Sequence, residues 1–288
     1  MSDIGVYLYA VTQDTGRAPP EGLRGVLGHE VTAVRRAGLA AYVSEVPLDQ
    51  FGEEPLRRLL EELDWVEDVA RSHHRVVETL STGTPVAPVR LVTVYHGLDQ
   101  VGDLLTRRRA DFLRVLCRVS GRREWGVKAY ATRPPERPPE GPASESAASG
   151  PAGAGHGTAE SPGTAYLRQR KESLRGRREA WRSAAERAER LHAALGEIAD
   201  GACRHRPQDP HLSGRDDVMV LNGAYLLDPA REPEFSEALA AFRGEGMEVE
   251  LTGPWAPYSF TSLDLDTDPG TGTTGPGADT PEEGSDGR

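Results

Sequence analysis

Cysteine is nearly absent: the 288 residues hold two, Cys117 and Cys203, far apart and outside any C-x-x-C spacing. That excludes a disulfide framework and suits a reducing compartment. Cys117 sits in the apolar stretch FLRVLCRV, where a thiol is expected to be buried as a small hydrophobe. Aromatic residues are only 6% of the chain, and no apolar run approaches the length of a membrane span. The start, MSDIGVYLYAV, has an early acid, no basic region and too short an apolar run for a secretory signal. A soluble cytoplasmic protein is expected. Positive charge is short too, with 34 Lys and Arg against 45 Asp and Glu and a net charge of −11. Phosphate binding needs a positive surface, so the whole molecule does not read as a nucleic-acid binder.

Catalytic signatures are missing as well. There is no HExxH, no P-loop, no GxSxG and no GxGxxG following a strand. Two clusters remain to be weighed. His73 and His74, with Glu78, lie on a helical pattern, and adjacent helical positions point about 100° apart, which keeps both from one metal. His73 falls on the apolar stripe and is expected as a core histidine bonded to a neighbouring element, with His74 solvated. Cys203, His205, Asp209 and His211 in CRHRPQDPH match no standard zinc spacing and read as a helix-to-strand connection. No enzyme, cofactor or metal site is expected.

What is present divides the chain. Residues 133–163 are dense in Pro, Gly, Ala and Ser and read as a disordered insertion, and 265–288 as a disordered acidic tail. The length allows two modest domains, placed at 1–121 and 122–264. The first holds strand patterns at 4–11, twice within 29–46 around Ala37-Gly38, and at 86–95, where Pro88 suggests an edge or a bend. Its helical stripes are Leu56, Leu59, Leu60 and Leu63; Val66, Val69, His73, Val77 and Leu80; and a single helix over 98–118. The second holds strands at 124–131, 218–227 and 247–255 and helices at 165–203 and 234–243. That β-α-β-α-β order approaches a ferredoxin-like sandwich, so the fold class is α+β.

The long helix carries Leu167, Leu174, Trp181, Ala188, Leu195 and Ala202 every seven residues, with Ala184, Leu191 and Ile198 three positions after members of that series. Such a seam either packs on its own sheet or meets a partner helix. The same helix holds Arg168, Arg170, Lys171, Arg175, Arg177, Arg178 and Arg182, a basic run with no aromatic stacking platform. A solvated face ranks first for it, an acidic protein partner second and nucleic acid third.

The segment LTGPWAPYSF (251–260) closely resembles the LTGPWPPYSF signature of the gas-vesicle F/L protein family. LNGAYLLDPAREPEFSEAL (221–239) and EWGVKAY (124–130) are similar to further motifs of that family, and VYLYAV, LAAYVSEVP, the His73 helix with VVETL, and PVRLVTVY follow in order. The resemblance spans nearly everything but the insertion and the tail. It implies a two-domain α+β protein with a modified ferredoxin-like C-terminal part and a long helix. It also implies a minor structural or assembly component of the gas vesicle, in contact with the small hydrophobic shell protein and other accessory proteins. The alternative is a ferredoxin-like regulatory or nucleic-acid-binding module. Trp255, Tyr258, Phe260, Trp181, Arg178 and Arg182 are the candidate partner-binding residues, although Trp255, Tyr258 and Phe260 equally suit a corner locking the last strand to the core. Three departures stand out. Ala256 replaces the usual Pro, the Pro-rich insertion is longer than usual, and Val92 replaces the glycine of a P-L-R-F-G-T segment. The last argues against close backbone approach at Val92.

Overall fold

The structure is a computed structural model and describes residues 3–132, 162–208, 217–244 and 246–261. Two four-stranded antiparallel sheets organise it. The first has the order β2-β3-β1-β4, from β1 (Ile4–Gln13), β2 (Thr32–Arg36), β3 (Leu39–Pro47) and β4 (Ala87–Tyr95). β1 is buried along eight consecutive residues because helices cover both sheet faces, which is why it reads as an unbroken apolar run. On one face Tyr7, Tyr9, Ala40 and Tyr42 meet Phe51 of α1 (Leu48–Phe51) and Val69, Val76, Val77 and Leu80 of α3 (Leu63–Ser81). On the other, Val6, Leu8, Leu39, Ala41 and Val43 meet Val101, Leu104 and Leu105 of α4 (Leu98–Arg107) and Phe112 and Leu116 of α5 (Arg109–Val119). Ala37 and Gly38 join β2 to β3 with φ of 56° and 77°, the two positive values of a two-residue hairpin turn. β4 is an edge strand, as Pro88 suggested.

Several expectations change here. The helix expected over 98–118 is two helices, broken at Arg108 (φ −101°, ψ 18°). The break turns α5 so that Phe112 and Leu116 return to the sheet face that α4 already covers. Cys117 is exposed rather than buried. It stands about 100° around the helix from Leu116, which takes the core side. Leu60 and Leu63 are 47% and 83% exposed because α2 (Glu53–Leu59) ends before them, so only the second stripe, with His73 on it, faces the core.

The second sheet has the order β6-β7-β5-β8, from β5 (Arg123–Ala131), β6 (Gly201–Arg204), β7 (Val218–Leu227) and β8 (Met247–Trp255). With α6 (Pro162–Ile198) and α7 (Glu232–Ala240) the chain runs β-α-β-β-α-β, the ferredoxin-like arrangement with one strand more than the sequence pattern showed. The extra strand is taken from the expected helix. α6 stops at Ile198, the Asp200 N–H bonds the Leu226 carbonyl, and Gly201–Arg204 pairs with β7. Ala202 and Cys203 are therefore strand residues. Because side chains alternate along a strand, Leu221, Tyr225 and Leu227 face α6 and α7, whereas Ala224 and Leu226 face the other way. α6 opens two residues inside the stretch expected to be disordered. The rest of that stretch, 133–161, and the tail lie outside the described residues, as do Asp209 and His211.

Candidate docking surfaces

β8 ends at Trp255, and the residues after it are tied to several parts of the molecule. Ala256 enters the core between the first sheet and α3, and Tyr258 packs beside it. The Tyr258 ring lies 6.1 Å from His73 and 6.3 Å from His74. The Ser259 N–H and hydroxyl donate to the two carboxylate oxygens of Glu124 at 2.8 and 2.6 Å. Phe260, 6% exposed, packs with Val119 of α5 and with Ala224 and Leu226 on the outer face of β7. The Thr261 hydroxyl donates to the Pro88 carbonyl at 2.9 Å. Residues 256–261 thus form a clasp holding the second sheet against the first.

Glu124 is the buried charge of this clasp. Burial raises its pKa, and the two Ser259 hydrogen bonds oppose that shift. His205 Nε2 stands 3.0 Å from Ser259 Oγ. The serine hydrogen goes to Glu124, so the imidazole donates here. A serine nucleophile needs the opposite polarity, with the imidazole taking the hydroxyl proton, so the trio is a strut.

His73 is a core histidine, 2% exposed. The Val92 N–H donates to Tyr7 Oη at 3.1 Å, and the acceptor within reach of the Tyr7 hydroxyl hydrogen is His73 Nδ1 at 3.0 Å. The proton of neutral His73 therefore sits on Nε2, where the Val89 carbonyl draws it without forming a well-aligned hydrogen bond. Burial, and then the neighbouring His74, lower the His73 pKa to about 4, against the opposing Val89 carbonyl. Val92 overturns the expectation of no close backbone approach. Its φ is 62°, the left-handed region that glycine favours, and its N–H reaches a buried tyrosine. His74 is half-buried rather than simply solvated, with its ring 5.5 Å from Trp255 and its Nε2 3.9 Å from Glu78.

Of the six candidate residues, Tyr258 and Phe260 are inside the clasp. Trp255 and Trp181 are each 46% exposed, and Arg178 and Arg182 are exposed on α6. Glu124, Ser259, Thr261 and the Tyr7–His73 pair carry the interior chemistry; of these only His73 was marked as interior by its helical stripe, and no local pattern gave the others these roles. Among the described residues no group of three or more His, Cys, Asp or Glu could hold a metal, and no helix is long and apolar enough to cross a membrane.

The family model described as gas vesicle synthesis protein GvpL/GvpF matches residues 5–262. The chain belongs to that family. Gas vesicle protein L of Streptomyces sp. (strain CB03234) is 42% identical over 257 residues, covering 89% of this chain and 92% of that protein. Gas vesicle protein F of Haloferax mediterranei is 34% identical over 55 residues, 18% of this chain and 26% of that one. The crystal structure of GvpF from Anabaena sp. PCC7120 superposes with a TM-score of 0.58 at 20% identity, covering 91% of this chain and 97% of that one. GvpF from Microcystis aeruginosa gives 0.55 at 19%, covering 90% and 99%. At such identity the two GvpF structures speak for the fold alone. They share with this GvpL/GvpF member its mixed helix-and-sheet architecture, and the family makes it a gas vesicle accessory protein.

Proposed function

We propose that this chain is a minor structural or assembly component of the gas vesicle that binds the shell protein and other vesicle proteins and works without catalysis, at the vesicle within the cytoplasm. The observation that supports this most is the GvpL/GvpF match over residues 5–262, which takes in both sheets and the clasp. In this reading 1–121 and 122–264 are two folding units joined by that clasp. Trp255 is the side chain offered to the shell protein. It is the half-exposed aromatic of the signature, steadied by His74, and a rigid aromatic presents apolar area at little entropic loss. The competing reading, a ferredoxin-like regulatory or RNA-reading module, is disfavoured by the clasp itself. Such modules stack bases on the sheet face away from the helices, and here Phe260 occupies that face of β7.

Co-purification with the shell protein tests the proposal. Trp255→Ala is expected to keep the thermal midpoint and lower shell-protein recovery at least fivefold. Full recovery with the variant removes Trp255 from the contact. No recovery with the unaltered chain ends the reading.

A further inference from the structure

The longest helix is only partly used by the fold. From Ala184 onward the seam of α6 is covered, with Ala184, Ala188, Leu191, Leu195 and Ile198 at most 8% exposed against β5, β7 and α7. Before Ala184, no described side chain of α6 is buried. The preceding 22 residues, Pro162–Ser183, extend about 33 Å at 1.5 Å per residue. The seven-residue series continues into this part, where Leu174 and Trp181 are 43% and 46% exposed. The alternate seam positions change character. Where the covered half has Ala184, Leu191 and Ile198, the bare half has Arg177, flanked by Lys171 and Arg178 on the same side.

Charge decides what fits. Arg168–Arg182 holds seven basic and two acidic residues, a local net of +5 in a chain whose total is −11. Lys171 and Arg175, and Arg178 and Arg182, are like-charged pairs four residues apart, an arrangement that weakens an isolated helix. The ion pair Arg175–Glu179 at 3.0 Å relieves part of this, and Arg178 and Arg182 meet no carboxylate among the described residues. An apolar seam continued from a packed one, with arginine in the alternate seam position, calls for a facing helix with carboxylates opposite the basic row. A second copy of this chain would oppose arginine to arginine. Nucleic acid would meet the charges and leave Leu174 and Trp181 without a matching face.

We propose that residues 168–182 of α6 are a docking site for an acidic amphipathic helix of another protein. Leu174 and Trp181 form the shared seam, and Lys171, Arg177 and Arg178 face its carboxylates. This rests on the reading of the chain as a binding protein and adds the class of partner for a second surface, apart from Trp255.

The probe is a fluorescein-labelled 28-residue peptide with Leu and Ile at seam positions and Glu flanking them, titrated with the full chain and followed by anisotropy. Saturable binding is expected, at least tenfold weaker with Leu174→Ala/Trp181→Ala. Arg177→Glu/Arg178→Glu is expected to lose the acidic peptide and to bind the equivalent lysine peptide. These side chains lie outside the core, so circular dichroism and the thermal midpoint should stay unchanged. Absence of binding overturns the proposal. So does equal binding of a scrambled peptide of the same charge, tighter binding of a 20-nucleotide RNA, or self-association through the same residues. Recovery of shell protein by Arg177→Glu/Arg178→Glu, measured in parallel, separates failure of this site from failure of the wider reading.

Discussion

Three groups in a row, the Val92 N–H, the Tyr7 hydroxyl and the His73 imidazole, leave the hydrogen on His73 Nε2 without a well-formed hydrogen bond, with only the Val89 carbonyl drawing it. A proton added to His73 would have to displace the tyrosine hydrogen from Nδ1 inside the core. In the unfolded chain the imidazole takes a proton near pH 6.5, and in the folded chain near pH 4. The unfolded state therefore binds more protons between those values, so stability is full above about pH 6.5 and falls as pH drops toward 4. The loss amounts to about 3 kcal/mol by the lower end. Glu124, with a raised pKa, acts in the opposite sense just above its ordinary range. Urea midpoints from pH 7.5 to 4 should show the decline, and His73→Gln should flatten it; equal slopes in both proteins would refute the assignment. The interior place of His73 was legible from its helical stripe. Its partner was not, because Tyr7 lies 66 residues away and alternates among equally apolar neighbours. Cys117 misled for a related reason: an apolar neighbourhood in sequence does not say which side of the helix a residue takes.

Elements followed their local chemistry most closely where one face is buried. The β2–β3 hairpin is an example, with Ala37-Gly38 at a turn that requires two positive φ values. Ala37 is exposed and strained there, so Ala37→Asn should stabilise the protein by about 0.5–1 kcal/mol, read as a higher urea midpoint with an unchanged slope. An unchanged or lower midpoint would mean that the turn carries no strain. Element ends were harder to read. The only local mark of the break at Arg108 is the arginine run 107–109, which interrupts the stripe between Leu105 and Phe112; those two are seven residues apart, in phase for one continuous helix, so the pattern does not require a break. The end of α6 is set by competition, because Gly201–Arg204 gains a strand partner in β7 that lies beyond it in sequence. In α6 itself the heptad pattern was legible. Only its placement on the sheet separates the covered seam from the bare one.

For the molecule as a whole, residues 256–261 are the joint. Phe260→Ala should destabilise the protein by about 3–5 kcal/mol, the usual range for truncating a buried phenylalanine. It should also separate unfolding followed by Trp65, beside Phe51 on the first sheet, from unfolding followed by Trp125 on the second. Single-tryptophan variants measure this, and coincident transitions after the substitution would show that the clasp does not couple the halves. The signature LTGPWAPYSF could be read as a docking motif or as an internal corner, and sequence offered no choice between them. By itself the sequence determined the α+β class, the positions of most strands and helices and the family, since these follow from local periodicity and short motifs. The tertiary structure alone decided that Tyr258 and Phe260 turn inward while Trp255 and Trp181 reach solvent, that Glu124 is a buried anchor, and that part of α6 stands bare. Those outcomes depend on which surfaces remain after two separate sheets have been brought together, and contacts between residues more than a hundred positions apart leave no periodic trace along the chain.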